Sequence, residues 1–198
     1  MKLGLLGGTF DPVHLGHLIL AENCLDACQL DALWFLPTGI PPHKDASQLT
    51  PDADRVAMLQ LAIAGHAQFS VHTMECEREG VAYTVDTLEQ VHTEHPQAEL
   101  TFLIGGDSLC DLPNWRSPQR IAELAQLVAV NRGSSQPPPI PASLDERVVS
   151  RIQHVSIPGI GVSATDIRQR VRRGLSIRYL VPRAVEIYIQ EHRLYQNS

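Results

Sequence analysis

Two periodicities alternate along this chain, and that alternation constrains the fold more than any other feature. Short apolar runs recur between segments in which apolar residues return every three or four positions. KLGLL (2–6), ALWFLP (32–37), FSVHT (69–73), ELTFLIG (99–105), LVAV (127–130) and HVSI (154–157) read as strands. Helices are expected over 15–28, 51–65, 84–95, 117–125 and 143–151, with two closing helices over 163–173 and 182–192. Leu18, Ala21, Leu25 and Cys28 form the apolar face expected of the first helix, and Val85, Leu88 and Val91 that of the third. Strands that are apolar throughout belong in a parallel sheet covered on both faces. The class is therefore α/β, a doubly wound parallel sheet with a small C-terminal helical part. One domain is expected over 1–198, its core over about 1–157 and its helical part over about 158–198.

Composition removes several function classes. The formal charge is −6, which argues against a nucleic-acid partner. The longest apolar runs fall far short of a bilayer span, and the apolar start is broken too early for a secretory signal. The four cysteines form no CxxC pair, so a zinc site is not expected and a reducing, cytoplasmic setting is. Only Lys2 and Lys44 are lysines, against fourteen arginines, five of them between Arg168 and Arg178. That leaves room for a local anion site in an acidic protein.

Doubly wound sheets bind ligands outside the carboxyl ends of their strands. Gly7–His17, Gly105–Leu109 and Arg132 all follow expected strand ends. In GGTFDPVHLGH (7–17), Gly7, Gly8 and Gly16 allow a ligand to approach the backbone. His14 and His17 stand three apart at a helix start, where free N–H groups bind phosphate. His92 and His95 share that spacing without a glycine loop and read as an exposed helix face. Tyr83, Thr84 and Asp86 open another helix, whose N–H groups suit a carboxylate. Trp115 offers a flat surface beside a loop. Asp107 suits a ribose hydroxyl, water on a magnesium ion, or the cap of a following helix. Asp54 and Arg55 serve either helix-end electrostatics or a site, and Met58 reads as core. Ser163 is the expected cap of the helix that carries Thr165 and Arg168.

GGTFDPVHLGH resembles the phosphate-binding signature of nucleotidyltransferases with a T/HxGH motif, and within them the bacterial nicotinate-nucleotide adenylyltransferase family. PPHK (41–44), DADRVAML (52–59), YTVDTL (83–88), FLIGGDSL (102–109), NW (114–115), VNRG (130–133), VSATDIR (162–168) and YLVP (179–182) follow in that family's order. The resemblance implies a Rossmann-like sheet and transfer of AMP from ATP to nicotinate mononucleotide, with Mg²⁺ held mainly by the ATP phosphates. It implies catalytic roles for His14, His17, Lys44 and Arg168. ATP contacts are implied from Gly7, Gly8, Thr9, Phe10, His14, Gly16, His17, Gly105, Asp107, Arg132, Ile160, Ser163, Thr165 and Arg168. The mononucleotide would meet Thr9, Phe10, Asp11, Lys44, Tyr83, Thr84, Asp107 and Trp115, with Trp115 against the pyridine ring. Two departures from the family pattern are Ala164, where a hydroxyl is usual, and Gly133-Ser134, where proline usually follows the arginine. A cytidylyltransferase, a pantetheine-phosphate adenylyltransferase and a nucleotide sensor on the same fold are the competing readings. YTVDTL and NW disfavour the first two; the His pair, Lys44 and Arg168 disfavour the third. No GxGxxG follows the first strand, which excludes that type of dehydrogenase. Exposed apolar residues near the end, such as Leu194 and Tyr195, would pack on a partner in a homo-oligomer or on the domain itself.

Overall fold

A computed structural model describes residues 1–40, 49–133 and 137–196. Its strands are β1 (Lys2–Gly8), β2 (Ala32–Pro37), β3 (Phe69–Val71), β4 (Glu99–Gly105), β5 (Ala125–Arg132) and β6 (Ile152–Ile157). Its α-helices are α1 (Leu15–Ala27), α2 (Asp52–Ile63), α3 (Thr84–Glu94), α4 (Gly106–Asp111), α5 (Pro118–Leu124), α6 (Glu146–Val149), α7 (Ala164–Arg172) and α8 (Arg183–Glu191). The strands pair in the order β3-β2-β1-β4-β5-β6, every pair parallel.

The strands, apolar at their centres except in the edge strand β6 where Gln153 and Ser156 are exposed, serve two cores, one on each face of the sheet. Leu3 and Leu5 of β1 point to one face, where α3, α4 and α5 supply Val85, Leu88, Leu109 and Ile121. Leu6 points to the other, where α1, α2, α7 and α8 supply Leu20, Met58, Ile167 and Val185. Adjacent strand residues alternate in direction, so burial on both sides requires a run with no polar positions.

The elements match the expected order, with informative differences at their edges. β1 runs on through Gly7 and Gly8 because both stay in register with β2, opposite Leu36 and Pro37. β5 is longer than 127–130 and β6 begins at Ile152, since the two pair continuously from Leu127 opposite Ile152. β3 ends at Val71, two residues before the expected Thr73. The helical segment Gly106–Asp111 and the 3₁₀ turn Leu112–Asn114 had no apolar period long enough to announce them. The buried face of α1 is Gly16, Leu20, Ala21, Cys24 and Leu25, while Leu18 and Cys28 lie at its half-buried margin. His95 is not on an exposed face: it is half-buried and meets Trp34 edge-on at 5.1 Å, and only His92 is exposed. Leu194 and Tyr195 are half-buried against this chain's own core. No described helix is long and apolar enough to cross a membrane.

Leu103, 2% exposed on β4, sits where central sheet and helices meet. Leu103→Ala should cost about 3 kcal/mol of stability. A lower urea midpoint with an unchanged slope is the expected result in an unfolding titration.

Candidate active site

The strand order creates the site. From β1 the chain builds outward through β2 and β3; from β4, on the other side of β1, it builds the opposite way through β5 and β6. The connections leaving β1 and β4 therefore diverge, and a crevice opens beyond their carboxyl ends. A cleft of about 840 Å³ lies there. Gly7, Gly8 and Thr9 line it from β1, Gly105, Gly106 and Asp107 from β4, and His17, Tyr83, Thr84 and Trp115 from the elements around them.

Local geometry at the start of α1 is tight. The backbone N–H of His14, the N-cap residue, donates to Nδ1 of His17 at 3.2 Å. Nδ1 is then an acceptor, so in the neutral ring Nε2 carries the proton. The two imidazoles stack with centroids 3.7 Å apart and planes 24° apart. His17 reaches the cleft, whereas His14 is only 3% exposed and lies behind it. Phe10 supports the pair from below. Its backbone is left-handed, with φ 47°, and its ring meets His17 at 5.0 Å and Phe35 at 5.8 Å. With 1% exposure, that ring is part of the core and not a wall of the cleft. Gly16 is needed for this packing, since a Cβ there would stand 3.0 Å from the His14 ring. The same Cβ would lie 3.7 Å from the Val162 carbonyl, so the loop before α7 closes over the start of α1.

Two arginines hold the turn between β1 and α1. Arg55 of α2 has no exposed surface. Its guanidinium donates to the carbonyls of Thr9 at 2.6 Å, Thr38 at 2.8 Å and Thr50 at 3.1 Å, and pairs with Asp52. Arg55 does not line the cleft; it works from the first turn of α2, where its pairing with Asp52 belongs to the electrostatics of that helix end. Arg168 of α7 donates to the Asp11 carbonyl at 2.7 Å and to the Thr165 hydroxyl at 3.4 Å. Asp11 is buried, with its carboxylate accepting from Tyr195 and from the Thr50 N–H. Ser163 caps α7 as expected, accepting from the Asp166 N–H at 3.1 Å. Ser163, Thr165 and Ile160 do not line the cleft; they stand beside it, joined through the Arg168–Asp11 contact. Arg132 ends β5 at the same edge of the sheet. Lys44 lies outside the described residues.

The far end of the cleft is of a different character. Tyr83 is the N-cap of α3 and Thr84 its first residue. Arg116 lies over the Tyr83 ring at 4.9 Å and pairs with Asp86 at 3.1 Å. Trp115 follows the 3₁₀ turn, its indole N–H donating to Asp111 at 3.3 Å and its ring edge-on to Phe102 at 6.2 Å. Asp107 is not a helix cap: Gly105 holds the N-cap position of α4, and Asp107 lies exposed in its first turn on the cleft wall. Glu75 is a wall residue that the sequence did not single out, because no motif or strand end marks it. It is buried and accepts from the Thr87 hydroxyl at 2.8 Å. Burial pushes its carboxyl above the usual range, and hydrogen bonds from Thr87 and Thr38 oppose the shift.

Among the described residues, no three His, Cys, Asp or Glu side chains form a cluster able to hold a metal ion. The cysteines are free thiols; burial pushes Cys24 up to about 12 and Cys76 to about 11, so neither is a thiolate nucleophile at neutral pH. The described part of the site offers donors and helix starts that suit anions.

Comparison with known proteins gives the class: the fold is that of a nucleotidyltransferase. The sequence model of the family described as cytidylyltransferase-like matches residues 5–170. A relative from Geobacillus thermodenitrificans, named "Probable nicotinate-nucleotide adenylyltransferase", is 47% identical over 98% of this chain and 86% of its own length. One of the same name from Thermomicrobium roseum is 47% identical over 98% of this chain and 92% of its own. The chain belongs to the nicotinate-nucleotide adenylyltransferase family. At the level of fold, it matches the structure of Plasmodium falciparum nicotinic acid mononucleotide adenylyltransferase complexed with APC. There the TM-score is 0.78 at 18% identity, over 98% of this chain and 96% of that one.

Gly16→Ala should separate stability from activity. Alanine favours the helix by a few tenths of a kcal/mol or more, while its methyl displaces His14. We expect an unchanged or slightly raised Tm with kcat lowered about tenfold. Glu75 supplies a pH test. Its folded-state pKa is raised, so its stabilising contribution is present at low pH and lost as pH rises through that value. Glu75→Gln should therefore raise Tm, relative to the parent, more at about pH 7 than at about pH 4; equal differences would contradict the burial effect.

Proposed function

We propose that the cleft transfers AMP from ATP to nicotinate mononucleotide, giving nicotinate adenine dinucleotide and pyrophosphate in NAD biosynthesis. The observation that carries this reading is the cleft's two unlike ends, beyond β1 and β4. One end presents His17 at the start of α1 with His14 stacked behind it, the other the start of α3 and an indole. Family membership over nearly the whole chain supports the same reaction.

The mononucleotide's phosphate is ionised at neutral pH, so it attacks the α-phosphorus of ATP without a general base. A new P–O bond forms as the bond to pyrophosphate breaks. The work left to the protein is to align two mutually repelling anions and to stabilise charge on the α-phosphate and the leaving group. The proton on His17 Nε2 suits donation to a phosphate oxygen, and His14 fixes the ring that donates it. Gly7, Gly8, Thr9, Phe10 and Gly16 would bring backbone to the triphosphate. Ser163, Thr165 and Arg168 would receive the leaving pyrophosphate, and Lys44 would contact the incoming phosphate. Gly105, Asp107, Arg132 and Ile160 would bound the adenosine. Free N–H groups at Tyr83–Thr84, with the Thr84 hydroxyl, suit the pyridine carboxylate, and Trp115 suits the ring.

The donor set fits a Mg²⁺ ion that arrives with ATP, because the exposed Asp107 belongs to no cluster of three potential ligands among the described residues. When bound, that ion neutralises phosphate charge. A single domain serves the reaction in this reading: α7 and α8 add Ile167 and Val185 to the core formed with β1 and α1. Four free thiols fit a reducing cytoplasm.

The test is Mg²⁺-dependent pyrophosphate release from ATP, with nicotinate and nicotinamide mononucleotides in parallel. Rapid turnover of the acid and slow turnover of the amide is expected; turnover of the amide alone would overturn the substrate. His17→Ala should lower kcat by about 10²–10³-fold with little change in KM, and a raised KM at full kcat would remove His17 from transition-state stabilisation.

A further inference from the structure

The turn that carries the His pair is held by a residue far away in sequence. After α8 the chain reverses: Arg193 takes the left-handed conformation, with φ 52°, and the Leu194 N–H donates to the Ile189 carbonyl at 3.0 Å. This six-residue closure at a helix end folds the following chain back over the core. Leu194 packs there, and Tyr195 is set over the β1–α1 turn. Its hydroxyl donates to Asp11 Oδ1 at 2.6 Å. Tyr195 itself has φ 63°, a conformation that an aromatic residue seldom adopts unless its surroundings impose it.

Asp11 is 3% exposed and gathers three distant segments. Oδ1 accepts from Tyr195, Oδ2 accepts from the Thr50 N–H at 3.3 Å, and the backbone carbonyl accepts from Arg168 at 2.7 Å. It lies between Phe10, which supports His17, and the approach to His14. The carboxylate is thus satisfied inside the fold and does not line the cleft, where its charge would oppose phosphate. We propose that Tyr195 is a positioning residue for adenylyl transfer: its bond to Asp11 sets the turn that presents His14 and His17, and with it the Arg168 contact on the same residue.

This inference rests on the adenylyl-transfer reading, and the test separates the two. Purified full-length Tyr195→Phe, Asp11→Asn and the double variant are compared with the parent in pyrophosphate release, well below each protein's Tm. Tyr195→Phe keeps the ring and removes only the hydroxyl. The expected result is kcat lowered about tenfold with KM for both substrates within about twofold. Asp11→Asn should show a similar loss, and the double variant should be no worse than the weaker single, because both act through one bond. Parental kcat in Tyr195→Phe, even with a lowered Tm, would reduce Tyr195 to a structural residue and overturn the proposal. So would losses that multiply in the double variant. If the parent itself does not turn over, the reaction assignment fails, and amide hydrogen exchange then decides. Faster exchange across residues 10–18 in Tyr195→Phe, with unchanged exchange in β4, supports positioning; unchanged exchange in both overturns it.

Discussion

Arg55 carries a positive charge into a fully buried place, and the active-site end of the molecule is arranged around it. The β1–β2 ladder stops at Gly8 opposite Pro37, so the carbonyls of Thr9 and Thr38, just beyond, have left the sheet. Buried carbonyls need donors, and one guanidinium supplies both of these as well as Thr50. Asp52, one helical turn earlier, balances the charge. Breaking a buried charge network of this kind costs about 3–5 kcal/mol. Its more specific effect is geometric: the ends of two strands and the start of α2 are fastened at one planar group, which fixes where the turn between β1 and α1 leaves the sheet.

From that anchor the site is built out of backbone more than side chains. The starts of α1, α3 and α4 are all at the cleft, and α7 begins beside it. Helix starts carry partial positive charge, which suits a reaction between two polyanions. An acidic protein can thus bind them without a basic surface, and a net charge of −6 is no obstacle. Side chains refine this frame: the stacked His pair on one side, Trp115 and the Tyr83–Arg116 contact on the other.

Much of this was legible in the residues because the physics involved is local or periodic. Apolar runs gave the six strands in order, and the glycine-flanked His14–His17 segment marked where the cleft would be. Ser163 was readable as a cap because capping depends on residues three apart. Arg55, Glu75 and Tyr195 were not readable in the same way. Each owes its role to partners brought together only by the fold: Thr9, Thr38, Thr87 and Asp11. Phe10 needed the fold to divide its parts. Its ring is a core support, which only burial could reveal, so the ligand contact expected of its place in the signature falls to its backbone. The short helix at 106–111 was missed because it is fixed by its place after β4 more than by its own pattern.

The bonds around Asp11 have a consequence for how the molecule comes together. They join positions 157 and 184 residues apart, and the related Tyr188–Asp54 bond joins positions 134 apart. Contacts of such high order are entropically costly to close, and their loops close only once nearer pairings have shortened the chain between them. Loop-closure entropy therefore favours assembly of the sheet and its helices before the turn at Asp11 is fastened. Under the role proposed for that turn, a chain with most of its secondary structure formed would still lack the contacts that set the His pair.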